Sequence, residues 1–94
     1  MDALKLKHWA LILETELEAN KGRSKDVSEL AIYEPLVEAI EMAKREEISH
    51  PIDIPAMQHW SFETDIPSFK GVSHALSCFR ILLWGWELPK EKNE

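Results

Sequence analysis

A chain of 94 residues, 45% of them hydrophobic and 30% charged, is long enough for one hydrophobic core and too short for two independent domains. The net charge of −6 repels phosphate backbones, and no segment concentrates lysine and arginine, which argues against a nucleic-acid partner. The single cysteine, Cys78, excludes an intramolecular disulfide and a zinc site built on several thiolates of one chain, and it favours a reducing, cytoplasmic setting.

No segment has the length and polarity of a membrane-targeting element. The apolar run at residues 9–13 is shorter than the hydrophobic part of a signal peptide, and acidic residues follow it. Residues 72–86 are nearly uncharged, but they are fewer than the roughly 20 that a bilayer span requires and they include Arg80. We therefore expect neither a signal peptide nor a membrane partner.

The first predicted helix covers residues 2 to about 19. Its apolar residues recur at spacings of four, three and four, which is the periodicity of one helix face. The members of this stripe are Leu6, Ala10, Leu13 and Leu17. Asp2 is a suitable N-cap, and Asn20 with Gly22 is typical of a helix end.

The second helix is predicted to begin at Asp26, because Glu29 follows at the spacing of a capping box. Pro35 lacks a backbone N–H and clashes with the preceding turn, so it cannot lie inside a straight helix. The pattern predicts either a helix that ends near Tyr33, followed by a new one that starts with Pro35, or one kinked helix. The residues of this region that should face the core are Tyr33, Leu36, Val37, Ile40 and Ala43.

Residues 49–70, which we call the crossover, contain Pro51, Pro55 and Pro67 and therefore cannot form a long helix. The crossover is also rich in apolar and aromatic side chains, which favours an ordered segment packed onto the helices. These side chains are Ile52, Ile54, Met57, Trp60, Phe62, Ile66 and Phe69. We expect about one helical turn within it, at residues 56–60.

The last helix is predicted to run from Ser68 or Val72 to Glu87, because Pro89 disfavours its continuation. Its core stripe consists of Val72, Leu76, Phe79, Leu83 and Trp86. Together the elements predict one all-α domain at residues 1–88, followed by a flexible polar tail at residues 89–94. The domain should be a small bundle of three main helices, the second broken or kinked near Pro35.

Two tryptophans near the end of this helix, Trp84 and Trp86, are separated by one glycine. Positions two apart in an α-helix are rotated by about 200°, so the two indoles cannot share a face if the helix continues through them. Trp86 extends the core stripe, whereas Trp84 lies on the polar side with Arg80. Trp84 must then be covered by the crossover, against Trp60 or Phe62, or by a partner.

The second possibility predicts a partner-binding surface. Tryptophan and arginine are the residues most enriched at the anchors of protein interfaces, because a rigid ring buries much area at a small cost in entropy. The candidate surface is formed by Trp84, Arg80, Trp60 and Phe62.

An alternative site is predicted on the last helix. His74 and Cys78 lie four residues apart and so on one face, a spacing that suits two metal ligands, with His8 as a third ligand brought in by the fold. Glu47 and His50 have the Glu-x-x-His spacing of di-iron bundles, but the motif occurs once where two copies are needed. A simpler interpretation, which needs no metal ion, is that the Cys78 thiol lies beside a hydrogen-bonded His74.

Charged residues elsewhere suit a solvated surface. Glu14 and Glu18 share one helix face and could hold a cation, and Lys21, Arg23 and Lys25 could hold an anion. An acidic helix face and a basic turn exposed to solvent are the commoner arrangements.

The sequence contains no nucleophile elbow, phosphate-binding loop or dinucleotide-binding turn, and it calls for no cofactor. We therefore predict a non-enzymatic interaction module, an adaptor, inhibitor or immunity-type protein, and its acidic charge favours a basic partner. A homodimer that buries part of the first or the last helix is also expected, because the helices are more apolar than one small bundle needs. A small-ligand or metal-binding bundle is the alternative, and an unrecognised enzyme is a further one.

Overall fold

The computed structural model describes residues 2–88, and within that range it contains α-helices, short 3₁₀ turns and loops but no strands. The helices are α1 (Ala3–Asn20), α2 (Lys25–Ala31), α3 (Glu34–Lys44), α4 (Met57–Phe62) and α5 (Lys70–Leu83). The predicted all-α class is confirmed for this part of the chain. None of these helices combines the length and the hydropathy needed to cross a bilayer. The predicted tail at residues 89–94 lies outside the described residues.

Helix α1 is the centre of the molecule. Its predicted stripe is confirmed: Leu6, Ala10, Leu13 and Leu17 are all buried. Asp2 caps the helix as predicted, because its Oδ1 accepts a hydrogen bond of 3.0 Å from the backbone N–H of Lys5. Helices α3 and α5 both pack against α1. Contacts at each end show that both run antiparallel to it.

Lys44 connects α3 to α1. Its Nζ lies 3.0 and 3.1 Å from the two carboxylate oxygens of Glu14 and 3.3 Å from Oε2 of Glu41. The hydrogen bond to Glu14, followed by the one to Glu41, raises the pKa of Lys44 above its ordinary value of 10.5. A second, exposed ion pair joins Lys7 and Glu46 at 3.4 Å.

Helix α2 begins one residue after Ser24, so the predicted cap at Asp26 was wrong. Ser24 has an extended backbone, and its Oγ accepts hydrogen bonds from the backbone N–H groups of Asp26 and Val27 at 3.1 and 3.3 Å. Asp26 already belongs to the first turn, and its carboxylate instead accepts a hydrogen bond of 3.0 Å from the backbone N–H of Asp65. The Ser24 hydroxyl donates to the carboxylate of Asp65. These contacts join the start of α2 to the crossover.

The predicted break near Pro35 is confirmed in its two-helix form. Helix α2 ends at Ala31, Tyr33 is extended, and α3 begins at Glu34 with Pro35 as its second residue. Proline is tolerated there because the first N–H groups of a helix have no intrahelical acceptor. Leu36, Ile40 and Ala43 are buried as predicted, and Tyr33 and Val37 are partly buried.

The crossover is ordered and packed onto the bundle, as predicted. Met57–Phe62 form α4, and the side chains of Ile54, Met57, Trp60 and Ile66 are buried. The Tyr33 hydroxyl donates to the Pro55 carbonyl at 2.8 Å, and the Ile52 N–H donates to the Leu83 carbonyl at 2.9 Å. Phe62 departs from the packing expected of the crossover, because its side chain is 80% exposed.

Helix α5 ends at Leu83 and not at Glu87, because Gly85 reverses the chain. Gly85 has φ +83°, the Trp86 N–H donates to the Ile81 carbonyl at 3.1 Å, and the Gly85 N–H donates to the Leu82 carbonyl at 3.0 Å. This pair of bonds is a Schellman motif with glycine in the left-handed position after the helix. Trp86 therefore lies beyond the helix.

Helix α3 ends with the same motif but without glycine. Glu46 has φ +58°, its N–H donates to the Ala43 carbonyl at 3.0 Å, and the Glu47 N–H donates to the Met42 carbonyl at 2.9 Å. A side chain in the left-handed region is strained by contact between its Cβ and the backbone. The cap of α3 is therefore weaker than that of α5.

The substitutions Gly85→Ala and Glu46→Gly should change stability in opposite directions, because both positions have a positive φ. Alanine at position 85 should lower the free energy of unfolding by about 1 kcal/mol, and glycine at position 46 should raise it by up to about 1 kcal/mol. Thermal melts followed by circular dichroism should then shift by about 4–8 °C for each kcal/mol. Glu46→Ala controls for the lost ion pair with Lys7. A loss of stability in Glu46→Gly as large as that in Gly85→Ala would contradict this account.

The stabilising contribution of Lys44 should disappear at alkaline pH. Because its pKa is raised in the folded protein, the contribution is complete below the unfolded value of 10.5 and is lost as the pH rises through the higher folded value. The difference in melting temperature between the wild-type protein and Lys44→Met should therefore narrow above pH 10.5. Lys21→Met, which removes a lysine from an exposed pair, is the matched control. A difference that stays constant across this range would show that Lys44 acts by packing alone.

Candidate functional site

Trp84 is partly buried and is covered on one side by the crossover. Its indole Nε1 donates to Oδ1 of Asp53 at 3.3 Å. The guanidinium carbon of Arg80 lies 5.0 Å from the centroid of the indole, within the range of a cation–π contact. The crossover does cover Trp84, but through Asp53 and not through the predicted Trp60 or Phe62.

Arg80 links Trp84 to helix α4. Its Nη1 donates to the Ser61 hydroxyl at 3.4 Å while the guanidinium group lies over the indole. Arg80 thus packs on one face of the Trp84 ring while its guanidinium group is hydrogen-bonded to α4. Trp84 and Arg80 are in contact, as predicted, and both are partly buried by contacts within the chain.

Trp86 is the exposed member of the pair, so its predicted place in the core was wrong. Its side chain is 65% exposed, and it meets the Trp84 ring at a centroid distance of 5.6 Å and an angle of 66°. The rotation of about 200° applies only inside a helix, and the chain has already turned at Gly85. The edge-to-face contact with Trp84 holds the exposed ring in place.

A cleft of about 270 Å³ lies beside Trp86, between the start of α1 and the end of α5. Its walls are formed by Asp2, Lys5, Leu82, Gly85, Trp86 and Glu87. Two carboxylates and one ammonium group give the cleft a net negative charge. The cleft combines an exposed aromatic ring with acidic side chains. Gly85 of the Schellman motif, which positions the ring, also lines the cleft.

The other two predicted surface residues lie elsewhere. Trp60 is 7% exposed and belongs to the core, where its ring meets Tyr33 and His59 at centroid distances of 5.6 and 5.1 Å. Trp60 therefore lies among the core side chains and not in the wall of the cleft. Its Nε1 has no hydrogen-bond partner among the residues that the structure describes. Phe62 is exposed on α4 and does not line the cleft.

Only two of the three predicted ligands of the alternative metal site, His74 and Cys78, lie next to each other. Cys78 is buried, and its Sγ lies 3.7 Å from Nε2 of His74. His8 does not complete the set, because Trp9 contacts both His8 and His74, with centroid distances of 5.5 and 5.4 Å. No group of three histidine, cysteine or carboxylate side chains within residues 2–88 could hold a metal ion.

The acidic and basic candidates mostly have local partners. Glu14 pairs with Lys44, Glu18 pairs with Lys21 at 3.1 Å, and Arg23 donates to the Asn20 side chain at 3.3 Å. Glu47 pairs with Arg45 at 3.0 Å, and Nδ1 of His50 lies 3.4 Å from the Ser49 hydroxyl. These side chains are occupied at the surface and form no common site.

Sequence reasoning missed the residues that form the cleft, namely Asp2, Trp86 and Glu87. A signal for Trp86 was present, because a glycine after a long helical pattern is typical of a C-cap and would have ended the helix before Trp86. No local signal could bring Asp2 to this site, since the two ends of the described chain meet only through the packing of α1 against α5.

Comparisons with protein-family models, with curated proteins and with solved structures gave no match to the chain. The chemistry of the surface must therefore be derived from its own residues.

Zinc should not stabilise the protein, because His74 and Cys78 lack a third ligand in the described part of the chain. Melting temperatures with a saturating zinc salt and with a chelator are expected to agree within error. His74→Ala serves as the control for adventitious binding. A rise in melting temperature that occurs in the wild-type protein and is lost in His74→Ala would restore the metal hypothesis.

Proposed function

We propose that the chain is a non-enzymatic interaction module that binds a basic segment of a partner protein at the cleft beside Trp86. The observation that carries the proposal is the placement of Trp86: its indole is 65% exposed and lies in the wall of an acidic cleft. Such a module would act as an adaptor or inhibitor by occupying the surface of its partner.

The indole of Trp86 is held in place by contacts within the chain, without a partner. Its backbone is fixed by the Schellman motif at Gly85, and its edge contact with Trp84 limits rotation. A side chain that is already ordered loses little entropy on association, which leaves more of the contact energy for affinity. Trp84, held by Asp53 and Arg80, is thus a positioning residue for Trp86 in this proposal.

The charges around the ring favour a cationic ligand. Lysine and arginine side chains bind over indole faces by cation–π attraction, worth about 0.5–2 kcal/mol depending on solvent exposure. The carboxylates of Asp2 and Glu87 would pair with the same ligand, and Lys5 opposes them with a single positive charge. The net charge of −6 would also speed the approach of a basic partner.

The test is a titration with an oligo-arginine peptide, followed through the indole N–H signals in ¹⁵N–¹H NMR spectra. The Trp86 signal is expected to shift in a saturable way, and Trp86→Ala should weaken binding at least about tenfold. An oligo-glutamate peptide of equal length should leave the signal in place.

Two variants separate a specific site from general charge attraction. Asp2→Asn with Glu87→Gln should also weaken binding, and it keeps the helix cap because asparagine caps as well as aspartate. Phe62→Ala removes an exposed aromatic side chain that does not line the cleft and should have no effect. Equal affinity in the wild-type, Trp86→Ala and Phe62→Ala proteins would refute the proposal, because binding would then depend on net charge alone.

A further inference from the structure

The outward face of α1 carries exposed apolar side chains, and none of the four residues of this face lines the cleft at Trp86. Leu4 and Leu11 on this face are 70% and 42% exposed, and His8 and Thr15 complete the row. The spacing of four, three and four places all four on one stripe about three turns long. None of the four is a carboxylate, an ammonium or a guanidinium group, although 30% of the chain is charged.

The other faces of α1 are already used. The stripe that includes Leu6 and Leu13 is buried in the core. Lys7 and Glu14 pair with residues at the end of α3, and on the opposite side Trp9 contacts His74 of α5. The packing within residues 2–88 therefore leaves this stripe largely exposed. A shallow depression of about 320 Å³, lined by His8, Leu11, Ile12, Thr15 and Glu16, follows it.

Charged residues beside the stripe are sorted by sign along α1. Lys5 and Glu16 lie on one side of the stripe, in the N-terminal and C-terminal halves of α1, whereas Lys7, Glu14 and Glu18 already pair with residues of the same chain. If two copies of α1 pack antiparallel about a two-fold axis near the middle of the stripe, Lys5 of each copy faces Glu16 of the other. Parallel packing would instead place like charges together, which is unfavourable.

We infer that a second copy of this chain covers the stripe, with the two α1 helices antiparallel. Lys5 of each copy then lies beside Glu16 of the other, and His8 packs against Leu11 across the axis. A self-complementary charge pattern is what a two-fold interface requires, because each patch must match itself after rotation. A basic partner of the kind proposed for the Trp86 cleft would find no carboxylate on the stripe itself.

The first experiment compares dimer dissociation constants by sedimentation equilibrium. Leu11→Lys places a charge in the stripe of both copies and should raise the constant at least about tenfold. Ile32→Lys is the matched control, because Ile32 is 76% exposed but lies between α2 and α3. Both variants should keep the wild-type circular dichroism spectrum, since both positions are exposed.

The expected result is a wild-type dimer that Leu11→Lys weakens and Ile32→Lys leaves unchanged. A wild-type protein that stays monomeric at the highest attainable concentration overturns the inference, as does equal weakening by both variants. Trp86→Ala should leave the dimer intact, so failure of the cleft proposal and failure of this inference can be told apart.

The second experiment tests the orientation with a short thiol-specific crosslinker. In the antiparallel pair, Leu11→Cys brings two thiols close to the axis and should give a covalent dimer. Leu4→Cys places them about 16 Å apart along the helices and should give almost none. The wild-type protein, in which Cys78 is buried, sets the background. Efficient crosslinking through position 4 would show parallel packing and overturn the inferred geometry.

Discussion

Both long helices that follow α1 in the chain, α3 and α5, pack against it, one on each side of its buried stripe. A helix that supplies the common face for two others needs an apolar stripe wide enough to meet both of them. The stripe of leucines around Ala10 meets this need, and Ala10 itself, fully buried, adds little bulk where the helices meet. The ion pairs from Lys7 and Glu14 then join α1 to the C-terminal end of α3. The remaining elements fill the space that this arrangement leaves.

The aromatic surface depends on a single backbone conformation. Gly85 ends α5 in the left-handed region, and this turn directs Trp86 toward the start of α1, whereas Trp84 precedes the turn and donates to Asp53. An unbroken helix would have placed the same two rings on opposite sides of α5. Helix capping, usually discussed as a matter of stability, here decides which tryptophan is presented to solvent.

Periodicity was sufficient to predict the buried stripe of α1, the break before Pro35 and the packed crossover, because each depends on local patterning or on one proline. The predicted end of α5 was wrong because the apolar pattern continues through Leu82 and Leu83 into the tryptophans, so periodicity alone does not reveal that Gly85 ends the helix. Ser24 and Asp26 are two residues apart and both suit an N-cap, so only their hydrogen bonds distinguish them. The cleft itself required tertiary contacts between distant segments, which no local signal contains.

The contact between Gly71 of α5 and Glu16 of α1 also bears on how the chain folds. It closes a loop that contains α2, α3 and the whole crossover, so the core cannot be completed until the last helix arrives. Loop closure of this kind costs chain entropy before any non-local contact repays it, and it slows folding. The hydrogen bonds between Ser24 and Asp65 lie inside this loop, so forming them first would shorten the chain that remains to be closed.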